Sequence, residues 1–168
     1  NADVDVPQYL RVIRYKTAKL FEAAMRLGAI LSGAPADIEE GLARYGMHLG
    51  TAFQLVDDVL DYSGDEAATG KHLGDDLAEG KPTLPLIHAM KHGSAEHAAC
   101  VRHAIEAGGR DALPGVLAAI RASGALDETR RHAEAEAKLA REAIAPLPPS
   151  TFKDSLVQLA SFAVARDF

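Results

Sequence analysis

The run Phe53-Gln54-Leu55-Val56-Asp57-Asp58-Val59-Leu60-Asp61-Tyr62 sets three carboxylates into an otherwise apolar segment. At about 3.6 residues per turn, Asp57 and Asp61 stack on one helix face, Asp58 lies about 100° round, and the Gln54 amide sits one turn earlier. Leu49, Phe53, Val56 and Leu60 recur at helical spacing and form a core-facing stripe beside the acids. Like charges so placed repel, and beside an apolar wall the cost grows unless a cation offsets it. A hard divalent ion suits this array, and Mg2+ usually keeps waters and takes further oxygens from a substrate phosphate. The plainer alternative is an acidic, solvated helix face.

Two other groups could join such chemistry. Leu10, Ile13, Thr17, Leu20, Ala24, Leu27 and Leu31 make a helical stripe in which Thr17 alone is polar, with Lys16 and Lys19 flanking it. A hydroxyl there needs a partner or a polar cavity. Either Thr17 bonds a carbonyl of its own helix while the lysines reach water, or hydroxyl and ammonium together face an anion. Further on, the loop-like stretch from Gly70 to Thr83 embeds Lys71 and Lys81 among Asp65, Glu66, Asp75, Asp76 and Glu79. It reads as a charge-balanced solvated loop or as a lid whose two ammonium groups neutralise an anion near the aspartates. His88 and His92 are spaced i, i+4 but lack a third ligand, so they read as a surface pair. Cys100 and His103 do not make a nucleophile and base, because a cysteine in an Ala-rich helix is usually a small core residue.

The elements that must carry these groups are helices. The 168 residues are 48% hydrophobic, 25% charged and only 5% aromatic, with no Trp. Such an alanine-rich composition predicts one all-α domain with a real core. Pro7 suits a helix first turn, Gly28 and Ser32-Gly33-Ala34-Pro35 break the first helix, and Pro35 starts a second that runs into the aspartates. Gly41, Gly46 and Gly50 weaken that second helix in isolation, so they are expected to mark close packing against a neighbour. Helices are predicted from a Ser94 cap to Ala107, from Asp111 to Ser123 with Gly124 as the stop, from Leu126 to Ala145 with Glu134 placed to pair Lys138, and from a Ser150 cap to Arg166. The net charge of -6 with no basic stripe argues against nucleic acid. No apolar run is long enough to span a bilayer, and the single Cys100 fits a reducing, cytoplasmic setting.

Lys16-Thr17-Ala18, the run Gly46-Met47-His48-Leu49-Gly50-Thr51-Ala52-Phe53-Gln54-Leu55-Val56-Asp57-Asp58-Val59-Leu60-Asp61, then Gly70-Lys71 and Gly74-Asp75-Asp76-Leu77-Ala78-Glu79-Gly80-Lys81-Pro82-Thr83 occur in an order and spacing that resembles the C-terminal half of the trans-isoprenyl diphosphate synthases, the polyprenyl synthetases. The loop wording is nearest to long-chain bacterial members. The resemblance implies an all-α helical bundle of the isoprenoid-synthase type around a central cavity, of which residues 1–168 form only the C-terminal helices. It implies condensation of an allylic diphosphate with isopentenyl diphosphate, and magnesium as cofactor. Asp57, Asp58 and Asp61 would serve the metal. Lys16, Lys71 and Lys81 would hold the allylic diphosphate, Thr17 and Gln54 would line the site near the reacting carbons, and Phe53 would be cavity wall. A homodimer is expected of a full-length chain. The family carries two aspartate-rich motifs and only the second stands here, so prenyl transfer by this chain alone is not expected. The competing readings are a non-catalytic partner subunit of an active synthase, a terpene cyclase-like protein, which the Lys-Thr and Gly-Lys-Pro-Thr motifs oppose, and a plain helical module with an acidic patch.

Overall fold

Asp5 and Gln8 start the first helix by capping each other: Gln8 N–H donates to Asp5 Oδ1 at 2.8 Å and Asp5 N–H to Gln8 Oε1 at 3.1 Å, a reciprocal arrangement that satisfies two of the free first-turn donors. Helix α1 (Val6–Ile13) runs into a π-helical turn (Arg14–Ala18) and then into α2 (Lys19–Leu31). The computed structural model describes residues 2–63, 72–108 and 111–166.

The π turn corrects the expected stripe. Lys19 N–H reaches back five residues to the Arg14 carbonyl, so the turn holds one residue more than an α turn and the following chain is rotated by about one position. Ile13 stays buried, but past the turn the inward face is Ala18, Phe21, Met25 and Ala29, not Leu20, Ala24, Leu27 and Leu31. Leu20 is 74% exposed and Leu31 86%.

Helix α3 (Ala36–Ser63) is a single rod of 28 residues that carries Gln54 and all three aspartates. Its glycines act as the sequence suggests. A Cβ on Gly46 would lie 2.4 Å from the Phe21 carbonyl oxygen, and one on Gly50 2.6 Å from Ala18 Cα. Helix α2 and the end of the π turn therefore touch α3 backbone to backbone.

The stretch expected to be a loop contains a one-turn helix, α4 (Asp75–Ala78). After it come α5 (Leu84–His92), α6 (Ala95–Ala107), α7 (Leu113–Ser123), α8 (Ala125–Ala143) and α9 (Thr151–Ala165). The predicted caps form: Ser94 accepts from His97 N–H and Ser150 from Lys153 N–H, and Gly124 ends α7 at φ 67. Lys138 pairs with Glu142 at 3.7 Å and not with Glu134. No strand occurs among the described residues, and none of their helices is long and apolar enough to cross a membrane.

Two compact units divide the chain, one from residues 2–9 and 57–131, the other from 10–56 and 132–166, with α1, α3 and α8 contributing to both. In the first, Tyr62, Leu77, Leu86, Val101, Ile105, Val116 and Ile120 close a core over α4 to α7. In the second, Tyr45, Leu49, Ile144 and Ala160 pack with Phe21, Met25 and Leu156. Tyr45 satisfies its buried hydroxyl by donating to the Leu156 carbonyl at 2.7 Å.

Candidate functional site

In the first unit the three aspartates of α3 meet different surroundings. Asp58 is the inward one, 1% exposed, and its carboxylate accepts a very short hydrogen bond from the Tyr9 hydroxyl. Burial and then the Asp58 charge push the Tyr9 phenol far above its ordinary value, so it keeps its proton and donates. Tyr9 is 49 positions away in sequence, and no spacing rule could have singled it out.

Asp61 is half-buried and is gripped by the start of α4. Its backbone carbonyl accepts from Gly74 N–H at 2.9 Å, and its carboxylate accepts from Asp75 N–H at 3.1 Å and Asp76 N–H at 3.2 Å. Gly74 stands at φ 77, the left-handed region that glycine enters without strain, and this conformation turns three successive amides toward one residue. The side chain thus caps a helix distant in sequence. Burial, then the Asp76 charge, raise the Asp61 carboxyl to about 6 against the opposing pull of those amides. Burial, helped by the neighbouring Asp76 charge, thus outweighs the backbone donors at Asp61.

Lys81 is part of the same cluster. Its ammonium donates to Asp76 Oδ1 at 3.0 Å and lies 2.6 Å from Glu79 Oε2. The Glu79 bond, with Asp76 behind it, pushes the ammonium above its ordinary value despite burial, so the charge is permanent. Lys71, the other lysine of the expected lid, lies outside the described residues.

The second unit holds the remaining candidates. Thr17 donates from Oγ1 to Gln54 Oε1 at 3.0 Å, so the hydroxyl on the core-facing side of the first rod is answered by α3 and not by its own helix. Lys16 shares the π turn, is exposed, and pairs with no acid among the described residues; Lys19 instead pairs with Glu22 at 2.8 Å. Phe53 is half-buried, its ring 5.8 Å from that of Phe21 and capped by the Arg166 guanidinium at 3.9 Å, which also donates to the Phe53 carbonyl at 2.8 Å. Sequence reading left one buried charge unnoticed here. Glu136 on α8 accepts from Arg14 Nη2 at 2.9 Å and from His48 Nδ1 at 2.6 Å. His88 and His92 stack at 4.4 Å as a pair, with His88 bonded to the Ser123 carbonyl.

The fit to a metal ion is specific in one respect. Among the described residues no three acid, histidine or cysteine side chains converge into a ready cage. Asp58 is turned to Tyr9 and Asp61 to two amides of α4; a carboxylate has about four lone-pair sites, so Asp61 can accept from those amides and still offer an oxygen. One or two carboxylates, completed by water and phosphate oxygens, are what Mg2+ takes at a phosphate site. The carboxylates described are compatible with an ion completed by water and phosphate oxygens, and form no closed metal cage among the described residues.

Comparison with known proteins now decides the family. The polyprenyl synthetase family pattern matches residues 1–120. The chain belongs to the polyprenyl synthetase family. It is 52% identical over 168 residues to octaprenyl diphosphate synthase of Escherichia coli, covering 99% of this chain and 52% of that protein. It is 45% identical over 158 residues to all-trans-nonaprenyl-diphosphate synthase (geranyl-diphosphate specific) of Rhodobacter capsulatus, covering 94% and 48% respectively. Among solved structures, a polyprenyl synthase from Caulobacter crescentus complexed with calcium and isoprenyl diphosphate matches with TM-score 0.93 and 38% identity, over 100% of this chain and 52% of that one. The all-helical fold expected from composition is thus the fold of isoprenyl synthases. The chain spans about half the length of the curated relatives it matches.

Proposed function

We propose that these 168 residues are the C-terminal part of a single polyprenyl synthetase domain, a magnesium-dependent trans-prenyltransferase. In that reading an allylic diphosphate is condensed with isopentenyl diphosphate into a long-chain all-trans polyprenyl diphosphate, and the whole protein is a homodimer. Membership of the family and kinship to octaprenyl and nonaprenyl synthases support the reaction class. The observation that carries the assignment is geometric: half-buried Asp61 on α3 accepts from Asp75 N–H at 3.1 Å and Asp76 N–H at 3.2 Å, which draws a second acidic pair to the aspartates of α3. A partly buried acid cluster of this kind is at its most favourable with a dication bound.

When bound, the ion supplies Lewis-acid stabilisation to the departing diphosphate. Asp57 and Asp61 would supply carboxylate oxygens for it, with Asp58, bonded to Tyr9, beside them on α3. Lys16 has an exposed ammonium ready for an outer phosphate oxygen, and Lys81 adds fixed positive charge at the acid cluster, with Lys71 as its expected companion. The Thr17–Gln54 pair, already hydrogen-bonded at 3.0 Å, would offer hydroxyl and amide oxygens to developing positive charge on the allyl group. Phe53, steadied by Phe21 and Arg166, lends apolar wall beside Gln54.

Titrating the chain with inorganic pyrophosphate, with and without Mg2+, tests the site. Binding should require Mg2+ and weaken by about tenfold or more in Asp57→Asn and Asp61→Asn; absence of Mg2+-dependent binding by the wild type would overturn the reading. Supplied with both diphosphate substrates, the chain should form no product by itself, since it spans about half of its relatives. Robust product formation would overturn that incompleteness. A second reading is a non-catalytic partner subunit that associates with an active synthase; the presence of Lys16, Gln54, Asp57, Asp58, Asp61, Lys71 and Lys81 in one chain opposes it. That reading predicts no Mg2+-dependent pyrophosphate binding.

A further inference from the structure

Glu136 is a charged residue in the wrong place for stability. Its neighbours on α8, Ala133, Ala137 and Ala140, form a fully buried alanine stripe, and Glu136 itself is only 8% exposed. Both carboxylate oxygens are used: Oε1 by Arg14 Nη2 at 2.9 Å, Oε2 by His48 Nδ1 at 2.6 Å. Replacing such buried ionic groups with apolar side chains of similar volume is often neutral or stabilising, so the network is poorly explained as a source of stability. Arg14 Nε is moreover buried with no hydrogen-bond partner, an unrecovered cost.

Its location suggests a different role. Arg14 is the first residue of the π turn, and Thr17, three residues on, donates to Gln54 on α3 at 3.0 Å. His48 and Gln54 both stand on α3, and Gly50, between them, lets Ala18 approach within contact of that helix. The π turn is thus tied to α3 at both ends, through Glu136 at Arg14 and directly at Thr17, with Lys16 between the ties. A π turn is an irregular element that the helix would relax without tertiary restraint.

We propose that Glu136, acting through Arg14 and His48, is a positioning residue that holds the Arg14–Ala18 π turn and thereby sets how Lys16 and Thr17 are presented. The consequence for ligand binding rests on the diphosphate reading above; the restraint on the turn does not.

Amide hydrogen exchange and melting temperature separate this from a general structural role. In the paired variant Arg14→Met with Glu136→Met, which removes both charges, the melting temperature should stay within a few degrees of wild type while amides of residues 15–19 exchange about tenfold faster or more. Glu136→Gln, which can still accept from Arg14 and meet His48, should restore slow exchange. Glu136→Met alone leaves Arg14 without its partner and should add a fall in melting temperature to the same local loss. Mg2+-dependent pyrophosphate affinity should fall about tenfold in the Met variants and recover in Glu136→Gln. Unchanged exchange at 15–19 in the paired variant, or a loss spread evenly over the chain in step with melting temperature, would overturn the proposal. If wild type binds no pyrophosphate at all, the diphosphate reading fails, and the exchange data still decide the positioning role.

Discussion

A phenol buried against a carboxylate, as Tyr9 is against Asp58, can hold its proton in one way only, on the phenol. Tyr9→Phe removes a charge-assisted donor from an acid that is 1% exposed, and should cost on the order of 1–3 kcal/mol, read from the urea midpoint. If the midpoint is unchanged, Asp58 is not held by this bond. Glu136 gives a pH signature of opposite origin. Burial alone would raise its carboxyl, but the His48 bond and charge, then Arg14, outweigh that and hold it below its ordinary value of 4.5. A carboxyl lowered in the folded state stabilises the fold above its unfolded value and loses that contribution as pH falls from about 4.5 through the lower folded value. The stability gap between wild type and Glu136→Gln should therefore be widest near neutral pH and shrink below about pH 4.5. A gap independent of pH would mean that the carboxylate charge is not what matters there.

Helix register and helix contact are where the first rod and α3 can be tested. The π turn makes Leu20 a surface residue and Ala18 a core one, the reverse of what a regular repeat from Leu10 would give. Leu20→Gln should change stability by no more than about 0.5 kcal/mol, while Ala18→Leu should cost roughly 1–3 kcal/mol through overpacking against α3. The opposite ranking by thermal melting would show an unbroken α-helix. Gly46→Ala should likewise destabilise by roughly 1–3 kcal/mol, although alanine is the better helix former by up to about 1 kcal/mol. The new Cβ would lie 2.4 Å from a backbone oxygen that cannot rotate away. These glycines were readable from sequence because a helix with three of them needs a reason to exist. The π turn was not, since Arg14-Tyr15-Lys16-Thr17-Ala18 contains no residue that forbids ordinary helix.

For the molecule as a whole, ligand binding and stability are linked by mass action. Mg2+ with pyrophosphate at about 100 times its dissociation constant should stabilise the chain by about 2.7 kcal/mol. A rise in melting temperature should appear in wild type and be absent in Asp61→Asn; an equal rise in both would place the anion elsewhere. Helices, their serine and glycine caps, the all-α class and the family could be read from the residues alone, because each depends on neighbours a few positions away or on motifs in fixed order. So could the aspartate array and the need of the Thr17 hydroxyl for a partner, though not the stripe drawn through Thr17, which the π turn breaks. Which aspartate is buried and what answers Thr17 and Glu136 depend on partners brought close by folding, 49 positions apart for Tyr9 and Asp58 and 122 for Arg14 and Glu136. A charge or hydroxyl takes its energy from the few atoms within hydrogen-bond reach, and only tertiary packing chooses those atoms.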